Sequence, residues 1–175
     1  MTRFAFDIPT LDAGPVTLRA PREGDLDALA GFMASERSQY VGGPASRADS
    51  WAIIARILGH WALRGYGFWY IAEKETDRAI GACGFINREG WDEPELGWQV
   101  WDGFEGRGIA HAAARTARAH GARHFGLNGV ISYIVPQNTR SIALAQRLGA
   151  TFEREGEVLG HKCHVYRHPR QDEAA

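Results

Sequence analysis

Hydrophobic and polar positions along this chain follow two rhythms, and the switches between them mark its elements. Pro15-Val-Thr-Leu-Arg19 alternates with period two and predicts a first strand, ended at Ala20-Pro21 because a residue before proline is driven into extended backbone. Asp25 can cap a helix running to about Glu36, with Leu26, Leu29, Ala30 and Met33 on one face. A second helix starts near Ser46 or Asp49, turns Ile53, Ile54, Ile57, Leu58 and Trp61 inward, and stops at Arg64-Gly-Tyr-Gly67.

Three strand-like runs follow in quick succession: Phe68 to Glu73, Ala79 to Ile86 after the turn Glu75-Thr-Asp-Arg, and Glu95 to Trp101. They read as an antiparallel meander. A helix from about Gly106 to His124 comes next, with Ala110, Ala113, Ala114 and Ala117 spaced i, i+3, i+4, i+7 so that its backbone can lie close on a sheet. Val130 to Val135 is a further strand and Asn138 to Leu148 a further helix; Thr151 to Glu155 and Lys162 to Arg167 close the series as strands. A βαβ crossover after a meander predicts an α+β fold around one mixed sheet.

The 175 residues fit one domain, with a core from about 14 to 168 and a frayed tail at 169–175. A net charge of −1 gives no general attraction to nucleic acid or to an anionic membrane, and every apolar run is too short to span a bilayer. Cys83 and Cys163 form no CxxC pair and no disulfide framework, and the first residues carry no apolar secretion core, so a reducing cytoplasm is the expected location.

Chemistry concentrates in two places. Glu105-Gly106-Arg107-Gly108-Ile109-Ala110 opens the Ala-rich helix with two glycines, which permit a tight turn and leave the first helical amides pointing outward toward an anion. No Lys-Ser/Thr pair follows, as a P-loop requires, and no Gly-x-Gly-x-x-Gly is present; a glycine turn that simply starts a helix explains the segment equally well. In Pro136-Gln-Asn138-Thr-Arg-Ser141, Asn138 is a good N-cap and Ser141 sits in the exposed first turn, with Gly149 available as a left-handed C-cap.

Both motifs in this order and spacing resemble the GNAT superfamily of acyl-CoA-dependent N-acyltransferases, and within it the branch of RimJ/RimL-type N-terminal acetyltransferases. The likeness runs from Val16 to about Arg167. Val16-Thr-Leu-Arg19 with Asp25, Gly67-Phe-Trp-Tyr-Ile-Ala with Ile80-Gly81, and Glu95-Leu-Gly-Trp look like the branch's successive opening elements. The glycine loop is similar to Gln/Arg-x-x-Gly-x-Gly/Ala, with Glu105 replacing the usual first residue. The resemblance implies a GNAT-like single domain, a mostly antiparallel mixed sheet of about seven strands flanked by about four helices, and transfer of acetyl from acetyl-CoA to a primary amine, either a protein N-terminus or a small molecule.

It also implies roles. Arg107, Gly108, Ile109, Ala110 and His111 would receive the pyrophosphate, and Val100 and Trp101 would offer backbone groups to the pantetheine arm. Glu95 would deprotonate the amine directly or through water, with Glu155 in reserve; a solvated strand residue beside Asp92-Glu93-Pro94 is the competing reading of Glu95. The tyrosine that many members use as acid is replaced by Ala145. Ser141 would hydrogen-bond the developing thiolate or relay a proton, and Asn138 would orient the pantetheine amide or thioester region. An acyl-CoA-binding sensor with little catalysis is the alternative reading, and homodimerisation is common among similar proteins.

Among the remaining features, Trp51, Trp61, Tyr66, Phe68, Trp69, Tyr70 and Trp91 read mainly as core, with Tyr66 and Trp91 the best candidates to face an acceptor. No metal is expected: His120 and His124 share a helix face, but His161 and His164 flank Cys163 on opposite faces of a strand. His111, Arg115 and Arg118 form one helical stripe, read as solvated.

Overall fold

A computed structural model describes residues 6–171. Eight strands form one sheet in the order β1-β2-β3-β4-β5-β6-β8-β7. These are β1 (Leu11–Asp12), β2 (Val16–Arg19), β3 (Phe68–Glu73), β4 (Ala79–Ile86), β5 (Glu95–Val100), β6 (Ile131–Ile134), β7 (Thr151–Val158) and β8 (His161–Arg167). All neighbours are antiparallel except β5 and β6, which the long crossover through α3 makes parallel. The α+β architecture read from the sequence is thus the observed one, with the two-residue β1 added at the edge.

Helices cover both faces. α1 (Leu26–Met33) and α2 (Arg47–Arg64) pack through Leu29, Phe32, Met33 and Ile54 on Tyr70, Ala82 and Trp101. On the other face, α3 (Ile109–His124) sets Ala113, Ala114 and Ala117 against Trp69, Ile80, Phe85 and Leu96. Small residues there bring the helix close: a Cβ added to Gly121 would lie 2.4 Å from the Phe85 ring. α4 (Thr139–Arg147) buries Ala145 against Ile134 and Tyr166. Strand alternation accordingly divides β5: Leu96, Trp98 and Val100 face α3, while Glu95, Gly97, Gln99 and Trp101 belong to the α1–α2 side.

Three expectations need correction. α3 begins at Ile109 rather than Gly106, because Gly106 and Gly108 both adopt φ of +73°, outside the helical region. The first helix is shorter than the Asp25–Glu36 reading, with 3-10 turns at Glu23–Asp25 and Glu36–Tyr40. Asp25 makes no side-chain cap to α1. It lies buried and takes a bidentate bond from Arg19 at 2.7 and 2.9 Å, while Arg19 Nε donates to Asp77. The β2 strand, the start of α1 and the β3–β4 turn are therefore joined by one guanidinium. At the other end, Asn128 clasps the backbone of Gln171 with two hydrogen bonds; the rest of the tail, 172–175, lies outside the described residues.

The Arg19–Asp25 pair makes a stability prediction. Asp25→Ala strands a buried guanidinium and should cost about 3–5 kcal/mol in urea unfolding. A loss below about 1 kcal/mol would show that Asp77 alone satisfies Arg19.

Candidate active site

β5 and β6 pair at a single position, Glu95 opposite Ile131, and then part. Side chains occupy the backbone groups at the fork. The Ser132 hydroxyl donates to Leu96 O at 2.6 Å, and the Tyr133 amide donates to Glu95 Oε1 at 3.3 Å. Beyond the fork, β5 still pairs with β4 on its other edge. Trp101 N–H donates to Ile80 O at 2.8 Å, so alternation directs the amides and carbonyls of Trp98 and Val100 into the gap.

A cleft of about 1110 Å³ fills that gap. Its walls include Trp98 and Val100 from β5, Gly106, Gly108, Ile109, Ala110 and His111 from the glycine loop and the start of α3, and Asn138 to Ser141 from the start of α4. Gln39, Tyr40 and Val41, between α1 and α2, close the far side. The space passes from the α3–α4 face, through the fork, to the α1–α2 face.

Two helix N-termini open on this cleft and differ in one respect. In α4 the Asn138 side chain accepts from the Ser141 amide at 3.2 Å, the cap read from the sequence. Gly108 can offer α3 no such cap, and the first intrahelical bond is Ala112 N–H to Gly108 O. The amides of Ile109, Ala110 and His111 therefore face the cleft without intrahelical acceptors, and nothing lies within 4 Å of where a Cβ on Gly106 or Gly108 would sit. That cradle fits a phosphate. Glu105 does not spoil it, because its carboxylate pairs with Arg37, which also holds Asp102.

The structure brings together Val100, Gly108, Ile109, Ala110, His111, Asn138 and Ser141, and leaves three sequence candidates off the cleft wall. Trp101 is buried against Phe32 and Tyr70, with its amide committed to Ile80. Arg107 folds back to donate to Gly103 O and lies over the Phe104 ring. Glu95 sits at the closed end of the fork, where Trp91 Nε1–H donates to its Oε2 at 2.7 Å. Burial pushes its pKa up to about 7, against the opposing effect of these two donors. Ala145 faces the sheet, buried with Ile134 and Tyr166.

Arg118 overturns the reading of a solvated stripe. It is buried, donates to Leu148 O at 2.6 Å at the end of α4, and contacts His168 Nδ1 at 3.1 Å. The Gln171 amide, oriented oxygen-inward, accepts from it twice at 2.8 Å. Ser132 gives its only proton to Leu96 O, so His168 Nε2–H must donate to Ser132 Oγ (3.0 Å) and Nδ1 accepts from Arg118. Burial and the adjacent guanidinium lower the His168 pKa to about 3, keeping that tautomer neutral. The chain Arg118–His168–Ser132–Leu96 thus ties α3 and the end of α4 to the fork. Sequence reading missed Ser132 and His168; the one signal for the former was a hydroxyl inside the apolar run 130–135. Tyr66 packs with Phe85 and Phe125 as core, whereas Trp91 does reach Glu95. Among the described residues no three His, Cys, Asp or Glu side chains converge as a metal site, and no helix is long and apolar enough to cross a membrane.

Comparison with known proteins agrees with this geometry. Residues 16–151 match the family model described as an acetyltransferase (GNAT) domain, and the chain belongs to that family. The crystal structure of an acetyltransferase from Agrobacterium tumefaciens superposes with a TM-score of 0.87 at 35% identity, covering 97% of this chain and 99% of that one. The RimL acetyltransferase of ribosomal protein L7/L12, in complex with coenzyme A, shares the fold at TM-score 0.77 and 19% identity, over 93% of this chain and 98% of its own. An uncharacterised N-acetyltransferase of Bacillus licheniformis is 29% identical over 152 residues, 84% of each chain. The protein is a GNAT-fold acetyltransferase.

Glu95 makes the site's pH prediction. Its folded-state pKa of about 7 lies above the unfolded value of about 4.3, so the fold binds this proton more tightly than the unfolded chain. Stability therefore falls as pH rises across that window, by about 4 kcal/mol at most. Urea unfolding at pH 5 and pH 8 should show Glu95→Gln gaining on wild type at the higher pH. An unchanged gap would place the carboxylate in water.

Proposed function

We propose that the chain transfers an acetyl group from acetyl-CoA to a primary amine by direct attack within a ternary complex. The observation that carries this reading is the cleft that crosses the sheet at the fork. A cosubstrate lying on the α3–α4 face can present its thioester to an acceptor arriving from the α1–α2 face. The uncapped amides of Ile109, Ala110 and His111 would hold the pyrophosphate. The backbone edge of Trp98 and Val100, where the Val100 carbonyl accepts only a long bond from Arg37 Nη2 at 3.5 Å, would pair with the pantetheine amides as a strand does.

Asn138 and Ser141 stand on the wall opposite that edge. The Asn138 oxygen is engaged by the helix, which leaves its amide N–H to orient the thioester carbonyl. Ser141 Oγ would hydrogen-bond the sulfur as the C–S bond breaks and negative charge gathers there. On the other face, Glu95 would take the proton from the ammonium, directly or through water. A pKa near 7 suits that task, since the carboxylate can both accept and release a proton near neutrality. The fold shared with RimL supports a protein N-terminus as one acceptor, and a small amine is the other.

Ser141→Ala should lower turnover at least tenfold while leaving the affinity for acetyl-CoA nearly unchanged, read as CoA release across a panel of peptides and amines. Wild-type turnover in the variant would remove Ser141 from the chemistry. Acetyl-CoA binding by the native protein with no CoA release from any amine would favour the sensor reading instead.

A further inference from the structure

A second cavity, of about 290 Å³, lies between the C-terminal half of α2 and the end of β4. Ile57, Leu63, Phe68, Phe85 and Ile86 supply apolar walls, and the arms of Arg56 and Arg88 border them, so that almost all of the lining surface is apolar. No carboxylate lines it. Among the described residues, neither Arg56 nor Arg88 forms an ion pair.

Arg88 is the unusual member. Its guanidinium lies over the Trp91 ring, 4.6 Å from the centroid, and its Nε is buried with no acceptor. Burial and the nearby Arg56 lower its pKa, the signature of a cation held without a counter-charge. Desolvating a guanidinium donor without a partner is costly, and the stacked ring recovers only part of that cost. His60, on the same wall, has nothing to offer an anion. Its Nε2 accepts from the Asn87 amide at 3.0 Å, so Nδ1–H is left to donate to Tyr66 O at 2.8 Å.

We propose that this pocket binds an amphipathic carboxylate, with its apolar body against Ile57, Leu63, Phe68 and Ile86 and its head between Arg56 and Arg88. The size falls at the small end of ligand pockets and suits a short aliphatic or single-ring acid. Its position gives the ligand a route to the chemistry. Arg88 stacks on Trp91, which donates to Glu95, and Phe68 reaches Gly97 on β5, where an added Cβ would meet the ring at 2.7 Å. The carboxylate can belong to the acceptor itself or to a separate effector, and the site is the same.

The test needs no turnover, so it stands apart from acetyl transfer. Caproate is titrated into the full chain by NMR, following the Trp91 indole N–H resonance assigned with Trp91→Phe, with hexylamine as the control. Saturable binding of caproate and not of hexylamine is expected, weakened at least tenfold in the Arg56→Met/Arg88→Met double variant, with acetyl-CoA binding unchanged. Leu63→Glu, at an exposed position on the rim, supplies an internal carboxylate and should also abolish binding if the double variant fails to fold. Absence of saturable caproate binding, equal binding of hexylamine, or full affinity in both variants would overturn the proposal. Of the two sources, an acceptor tail would appear as ε-aminocaproate turnover whose KM rises in the double variant. An effector would appear as caproate changing the turnover of an unrelated amine without competing with it.

Discussion

The separation of β5 from β6 is the constraint on which the rest of this molecule depends. Two parallel neighbours that stayed paired would close the sheet and leave no passage through it. Here they meet only at Glu95 and Ile131. Ser132 and Glu95 then take up a carbonyl and an amide that ladder bonds would otherwise satisfy. The strand edge exposed beyond them is a hydrogen-bonding surface, and the two helix N-termini stand on either side of it.

Holding a fork open requires its two sides to keep their relative position. Arg118 does this with neutral partners alone: the last carbonyl region of α4, a neutral histidine and an amide. The end of a helix carries partial negative charge, which suits a buried guanidinium without a carboxylate. A second strap, Arg37 with Asp102 and Glu105, joins the segment after α1 to the glycine loop across the cleft. Glu105, out of place beside a phosphate when seen in sequence, thereby becomes a tether that leaves the α3 amides clear.

Much of this was legible from the chain alone, because strand alternation, the Ala-rich face of α3 and the cap at Asn138 are local signals. The fork's outline was legible through the order of the elements. Its supports were not. Arg118 looked like one more basic residue on a helix, since sequence spacing cannot say that α4 ends against it. His168 lies past the last strand and joins the network only through the pairing of β8 with β6. Asp25 read as a cap because Asp suits that position, but a buried guanidinium six residues earlier binds it more strongly. Trp101 failed as a cleft residue for a simpler reason: alternation turns it toward α1, with its amide on the β4 edge.

Calorimetric titration of the protein with acetyl-CoA, beside CoA and ATP, tests the central claim most directly. The fork and the uncapped α3 amides predict micromolar binding of acetyl-CoA and of CoA, and none of ATP, which has phosphates but no pantetheine arm to pair with β5. Failure to bind either acetyl-CoA or CoA, or equal binding of ATP, would contradict the account and leave the glycine loop as no more than the start of a helix.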